Sequence, residues 1–268
     1  MYMIEDGLHT IRIKNYELDF LKFGSGKKPL IMIPGLSYIM LSGQVARRQK
    51  ISEKYANDFT CYYPERRSSL NSGYTTREMA QDVYDFTQAL NLKNVSVQGF
   101  SQGGMIGQWL AIDHPELVKA LVLTVTLAKP NATIKETKKW LELLKRKGPK
   151  VALKHMQDNS YSDMWLEQHK NDPIILPPKN SRRALDQYEI LEEACQTHDA
   201  FEQLEKIKCP TLVNGGWCDC VVSGESSVEI ARKIHCDLWM FNNLGHGLYE
   251  EDPNYHKRVF EWLVLHTK

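Results

Sequence analysis

Three kinds of apolar spacing divide the chain. Residues 8–23 alternate polar and apolar positions, as in Thr10-Ile11-Arg12-Ile13-Lys14 and Tyr16-Glu17-Leu18-Asp19-Phe20-Leu21 on either side of Asn15. A period of two predicts an antiparallel strand pair. Short continuous apolar runs come next: Leu30–Ile33, Phe59–Tyr63, Val95–Val97, Ala120–Val125, Thr211–Val213 and Leu238–Phe241. Runs without alternation predict strands covered on both faces, as in a central parallel sheet. Between them lie helical stripes. Residues 76–90 carry Met79, Val83, Phe86 and Leu90 behind a Thr76 cap, and 102–113, 224–234 and 254–266 are helical as well. Strand and helix in alternation predict an α/β doubly wound fold.

One stretch breaks the rhythm. From about 129 to 206 there is no convincing strand, and the spacing predicts helices over 133–147, 149–157, 161–169 and 182–203. Such an insertion between two core strands reads as a helical lid (129–206) on a core formed by 1–128 and 207–268. Its charge is polarised. Residues 129–154 hold nine Lys/Arg against two Asp/Glu, while 182–205 hold two Arg against seven Asp/Glu. The two ends are therefore expected to attract each other as solvated faces.

Composition narrows the class. The chain has 268 residues, 42% hydrophobic and 25% charged, which excludes a disordered or fibrous protein. With 34 Lys+Arg and 33 Asp+Glu the formal net charge is +1, so no global field for nucleic acid exists. No apolar run reaches the ~18 residues of a membrane span. Met1-Tyr2-Met3-Ile4-Glu5-Asp6 has neither a basic nor an apolar leader region, so no export signal is expected. The six cysteines are then expected to be reduced thiols in a cytoplasmic protein. Cys218-Asp219-Cys220 lacks the spacing of a zinc site, and no metal or cofactor is expected.

The chemistry concentrates at three places. Gly99-Phe100-Ser101-Gln102-Gly103 is a G-x-S-x-G sequence between a predicted strand and a predicted helix. A serine there is forced onto a sharp turn, and side chains at 99 and 103 would collide with neighbouring backbone. The turn pushes Ser101 out at the carboxyl edge of the sheet, where open α/β sheets bind ligands. A serine hydroxyl needs a base. Among nine histidines, His246 lies in the loop Asn243-Leu244-Gly245-His246-Gly247 between the last strand and the last helix. The imidazole in turn needs a carboxylate, and Asp219 follows the 211–215 strand to the same edge. Thr124–Ala128, after the preceding strand, offers no rival acid.

The chain order Ser101, Asp219, His246 resembles the α/β-hydrolase superfamily, over nearly the whole chain. That resemblance implies a mostly parallel eight-stranded sheet flanked by helices, with the lid between strands 6 and 7. It also implies an oxyanion hole from the backbone N–H groups of Gln102 and Leu36, the latter in Pro34-Gly35-Leu36-Ser37. Where relatives show Asp-x-Arg-Gly-x-Gly, this chain has Glu65-Arg66-Arg67-Ser68-Ser69-Leu70, and Glu65 with Arg67 is expected to form a structural ion pair. A serine at the elbow implies acyl transfer, with hydrolysis of a small-molecule carboxylic ester as the leading reading. Ser101-Gln102-Gly103-Gly104-Met105-Ile106-Gly107-Gln108-Trp109 is similar to the elbow helix of 3-oxoadipate enol-lactonases, so a lactone substrate is the second reading. Cofactor-free haloperoxidases, C–C bond hydrolases and acyltransferases share the three residues, and a non-catalytic ligand-binding role is the alternative outside enzymes.

Overall fold

The computed structural model describes residues 4–268; residues 1–3, part of the stretch on which the leader expectation rests, lie outside the described residues. The alternating segment forms the hairpin β1 (Gly7–Ile13) and β2 (Tyr16–Phe23), with Gly7 opposite Lys22 and Ile13 opposite Tyr16. The chain continues through β3 (Lys28–Ile33), α1 (Val45–Ser52), β4 (Phe59–Pro64), α2 (Thr76–Ala89), β5 (Val95–Phe100), α3 (Gln102–Asp113) and β6 (Val118–Thr124). Then come α4 (Lys135–Lys147), α5 (Pro149–Ser160), α6 (Asp163–Gln168) and α7 (Leu185–Gln196), followed by β7 (Thr211–Gly216), α8 (Gly224–Ile234), β8 (Asp237–Phe241), α9 (Leu248–Glu251) and α10 (Tyr255–His266).

The eight strands form one sheet in the order β1-β2-β4-β3-β5-β6-β7-β8. β2 pairs antiparallel with both β1 and β4, and every other pairing is parallel. This is the mostly parallel eight-stranded α/β architecture. The continuous apolar runs are buried on both faces. Ile31 and Ile33 share one core cluster with Met79, Val83 and Phe86 of α2 and Ile230 of α8, whereas Leu30 and Met32 share the cluster on the other face with Val259, Trp262 and Leu263 of α10. Helix α3 is apolar all round, and all but one of its residues are buried, as a helix enclosed by the core must be.

Three local expectations change. Helix α2 is capped by Thr75 and not Thr76. The Thr75 hydroxyl accepts from Glu78 N (3.2 Å) and Glu78 Oε2 accepts from Thr75 N (2.7 Å), a reciprocal box that only a residue three before the glutamate can make. The helix expected over 182–203 is the shorter α7, after which the chain turns so that Ala200 N donates to Ala128 O (2.7 Å). Helix α1 has no apolar stripe and was not expected. The polarised ends of the 129–206 segment do meet, with Lys145 Nζ 2.7 Å from Glu189 Oε1.

Candidate active site

The turn from β5 to α3 holds Ser101 at φ 51 and ψ −120, a region that disfavours any side chain. Holding a non-glycine residue there costs about 1–3 kcal/mol and needs a surrounding structure that over-determines it. Ser101 N donates to Thr124 O (2.9 Å), and Ser101 O accepts from Gly104 N (2.8 Å), Met105 N (3.2 Å) and the Thr126 hydroxyl (2.8 Å). Every backbone polar group of the serine is therefore used, while its hydroxyl makes no hydrogen bond among the described residues. The neighbouring glycines are required by space. A Cβ on Gly99 would stand 2.3 Å from Gly103 O, and one on Gly103 would stand 2.0 Å from Ile33 O. Gly104 is equally confined, its Cβ position being 2.6 Å from Thr126 Cβ.

The β3–α1 loop runs beside the serine. A Cβ on Gly35 would lie 3.2 Å from Ser101 Cβ and 3.8 Å from its Oγ. Neither Leu36 N nor Gln102 N donates a backbone hydrogen bond among the described residues. Gln102 is the first residue of α3, where helix geometry leaves N–H groups free and favours negative charge. Its side chain is wholly buried and bridges two parts of the molecule. Nε2 donates to Leu191 O of α7 (2.6 Å), and Oε1 accepts from Arg66 Nη2 (3.1 Å).

His246 and Asp219 meet beyond the ends of β7 and β8. His246 Nδ1 lies 2.9 Å from Asp219 Oδ2, and the two residues are 8% and 6% exposed. The other oxygen, Asp219 Oδ1, accepts from Val221 N (2.8 Å) and Val222 N (3.0 Å), which locks the carboxylate. With Nδ1–H donating to the acid, Nε2 carries the lone pair of the neutral ring. The base loop presses close to β7: a Cβ on Gly216 would stand 2.2 Å from Leu244 O. Cys218 N donates to Leu244 O (3.1 Å) from within the acid turn. The structure thus joins Asp219 to His246 and sets Ser101 on the same rim of the sheet; no hydrogen bond connects Ser101 Oγ to the imidazole among the described residues. Catalytic hydrogen bonds often tighten only when substrate is bound.

The surroundings hold features that spacing did not reveal. Glu65 does not pair with Arg67. Its Oε1 accepts from Arg183 Nη2 (2.8 Å) and Arg66 N (2.8 Å), and its Oε2 accepts from Leu41 N (2.8 Å). Burial alone would raise the Glu65 carboxyl, but the Arg183 and Arg66 guanidiniums and the N–H groups of Leu41 and Arg66 hold it below the ordinary carboxylate range. Arg67 instead donates from Nε to Asp82 Oδ2 (2.9 Å) and stacks near Tyr16 and Tyr74. Arg183 lies 118 positions from Glu65, so no local pattern signals that pair. The turn between α5 and α6 also touches the base loop. Gly247 N donates to Ser160 O (2.6 Å), and Ser162 N donates to both oxygens of Glu251 (3.2 Å each). Cys218 and Cys220, on either side of Asp219, are exposed free thiols. Among the described residues no three His, Cys, Asp or Glu side chains gather as a metal set, and no helix is long and apolar enough to cross a membrane.

Comparison with known proteins agrees with the fold. The sequence profile described as the alpha/beta hydrolase fold matches residues 49–161. The chain is 25% identical over 224 residues to 3-oxoadipate enol-lactonase 2 of Acinetobacter baylyi, covering 80% of each. It is 31% identical over 173 residues to a putative carbamate hydrolase RutD of Variovorax paradoxus, covering 61% of this chain and 63% of that one. Among solved structures, an alpha/beta hydrolase from a Medee basin deep-sea metagenome superposes with a TM-score of 0.82 at 19% identity, covering 97% of this chain and 98% of that one. The enol-lactonase of Burkholderia xenovorans superposes with a TM-score of 0.76 at 18% identity, covering 96% and 100%. At such identities the superpositions speak for the fold.

Proposed function

We propose that the chain is an α/β hydrolase, as its profile match and fold support, and that it cleaves a small-molecule carboxylic ester through an acyl-enzyme on Ser101, with His246 as base and Asp219 as the acid that orients it. Ser101 Oγ attacks the acyl carbon while His246 Nε2 takes its proton. Asp219 holds the ring in the correct tautomer and stabilises the imidazolium that forms. The N–H groups of Leu36 and Gln102 receive the oxyanion, each worth about 2.7–4 kcal/mol in the transition state. His246 returns the proton to the leaving alcohol, then activates a water that releases the acid and restores Ser101. No step calls for a cofactor or a metal. The observation that carries the proposal is the pairing of a side chain held at φ 51 on the strand–helix turn with an Asp219–His246 bond of 2.9 Å at the same rim.

In this reading the 129–206 segment serves as a cap on the 1–128 and 207–268 core, and the substrate pocket lies between them. The six unpaired cysteines support a cytoplasmic setting. A lactone substrate is the second reading. It is favoured by the Ser101–Trp109 run and by the likeness to the Acinetobacter enol-lactonase over 80% of the chain. A fluorophosphonate probe is expected to label Ser101, and short p-nitrophenyl esters to be turned over. Ser101→Ala should remove both while the thermal melt stays cooperative. Turnover retained in that variant refutes the acyl-enzyme. The ratio of kcat/KM for an enol-lactone to that for an open ester decides between the two substrates.

A further inference from the structure

The segment Thr124–Ala128 carries no acid, yet it leads directly to the serine. Just past the end of β6, Val125 is wholly buried at φ 45. A β-branched side chain rarely adopts that region, so the surrounding structure must hold it there. Its neighbours supply the hold. Val125 N donates to Asn214 O of β7 (2.9 Å). Thr124 Oγ1 lies 2.6 Å from the hydroxyl of Tyr255, the first residue of α10, and that hydroxyl accepts from Gln98 Nε2 of β5 (3.3 Å). Gln98, Thr124 and Tyr255 are all wholly buried.

The turn at Val125 points two groups at one residue. Ser101 N donates to Thr124 O (2.9 Å), and Ser101 O accepts from the Thr126 hydroxyl (2.8 Å). Gly104 N and Met105 N also reach Ser101 O, but they belong to α3 and move with it. The Thr126 bond ties the same carbonyl to the segment anchored on β6 and β7. Thr126 is wholly buried and has little room to turn, since the Cβ position of Gly104 is 2.7 Å from both its Oγ1 and its Cγ2. Ser101 O shares a rigid peptide plane with the Gln102 N–H, and in a trans peptide the two point in opposite directions. Fixing the carbonyl therefore fixes the aim of the N–H. Gln102 N donates no backbone hydrogen bond among the described residues, and it is one of the two donors that the proposed mechanism gives to the oxyanion.

We propose that Thr126 is a positioning residue that aims the Gln102 N–H at the oxyanion, with Val125 and the Tyr255–Thr124 contact as its mounting. The proposal rests on the hydrolase reading and adds a residue that acts through another. Its mark is selective. An oxyanion donor acts on the transition state, so misaiming it lowers kcat and leaves KM in place.

Thr126→Val removes the hydroxyl at nearly the same shape, whereas Thr126→Ser keeps the hydroxyl and loses the methyl. Active enzyme is counted by fluorophosphonate labelling run to completion. Thr126→Val should then lower kcat for p-nitrophenyl butyrate at least tenfold with KM within threefold. It should weaken a trifluoromethyl ketone, which copies the tetrahedral state, by a like factor. Thr126→Ser should keep both within threefold. The same split is expected without turnover: hydrogen exchange of the Ser101 amide should quicken at least tenfold in Thr126→Val and stay within threefold in Thr126→Ser. Tyr255→Phe removes the hydroxyl beside Thr124 and should lower kcat at least threefold with KM unchanged. It carries the test if Thr126→Val fails to fold, and unchanged kcat there overturns the proposal. So does unchanged kcat or unchanged Ser101 exchange in Thr126→Val, an equal fall in Thr126→Ser, which would mark packing alone, or a loss confined to KM. An unaltered protein that neither labels nor turns over an ester refutes the hydrolase reading, and exchange of the Ser101 amide still decides whether Thr126 holds the plane.

Discussion

Ser101 places a β-carbon where the backbone prefers none, and the cost of that can be measured. At φ 51 and ψ −120 a glycine is comfortable and a serine is not. Ser101→Gly is therefore expected to melt at a higher temperature than the unaltered protein, by about 1–2 kcal/mol of stability at most, while losing probe labelling entirely. A lower melting temperature would mean that the hydroxyl contributes packing the structure does not reveal. His198 shows a second local tension. It is buried between helices, with Nε2–H donating to Gln108 Oε1 (3.3 Å) and Nδ1 accepting from the Thr76 hydroxyl (2.8 Å). Burial pushes its pKa down to about 3, and burial with the nearby Lys54, Arg48 and Arg47 pushes His256 down to about 4. Unfolded histidine titrates near ~6.5, so between that value and about 3–4 the unfolded chain binds more protons. Stability is thus full above ~6.5 and declines as pH falls through this window. Urea midpoints should drop between pH 7 and pH 4, and the slope should be shallower in His198→Gln. An unchanged slope would remove His198 from the acid response.

Among the elements, those with strong apolar periodicity were legible and those held by distant partners were not. Helix α3 begins and ends where its pattern does, because eleven buried residues define it. The β3 run is legible because Leu30–Ile33 is apolar at every position and is covered on both sides. Helix α1 escaped notice because its sequence, Val45–Ser52, is mostly polar and gains its place from contacts with the sheet. Of the candidate site, the order Ser101, Asp219, His246 could be read from turns and glycines, since each residue follows a recognisable strand. The partner of Glu65 could not, because two nearby arginines compete for it in sequence while Arg183 reaches it only in the folded chain. The Thr75 cap makes a separate prediction. Thr75→Ala removes the box on α2 and should cost about 1 kcal/mol, read as a lower urea midpoint with an unchanged m-value.

Across the whole molecule, the helical segment between β6 and β7 is fastened to the core at the elements that carry the proposed chemistry. Leu191 O receives the side chain of Gln102 beside the serine (2.6 Å). Arg183 N donates to Tyr38 O (2.8 Å), just after the oxyanion loop. Ser160 O receives Gly247 N (2.6 Å), next to the base, and Glu251 clasps the turn at Ser162. Glu251→Ala releases that clasp while leaving Ser101, Asp219 and His246 themselves unaltered. We expect kcat to fall roughly tenfold, about 1.4 kcal/mol of barrier, with a melting temperature little changed. Unaltered kcat would show that the base keeps its place unaided. In the proposed mechanism the Gly247–Ser160 bond ties the loop that carries His246 to the end of α5, so the placing of the imidazole and of the helical segment are one structural matter.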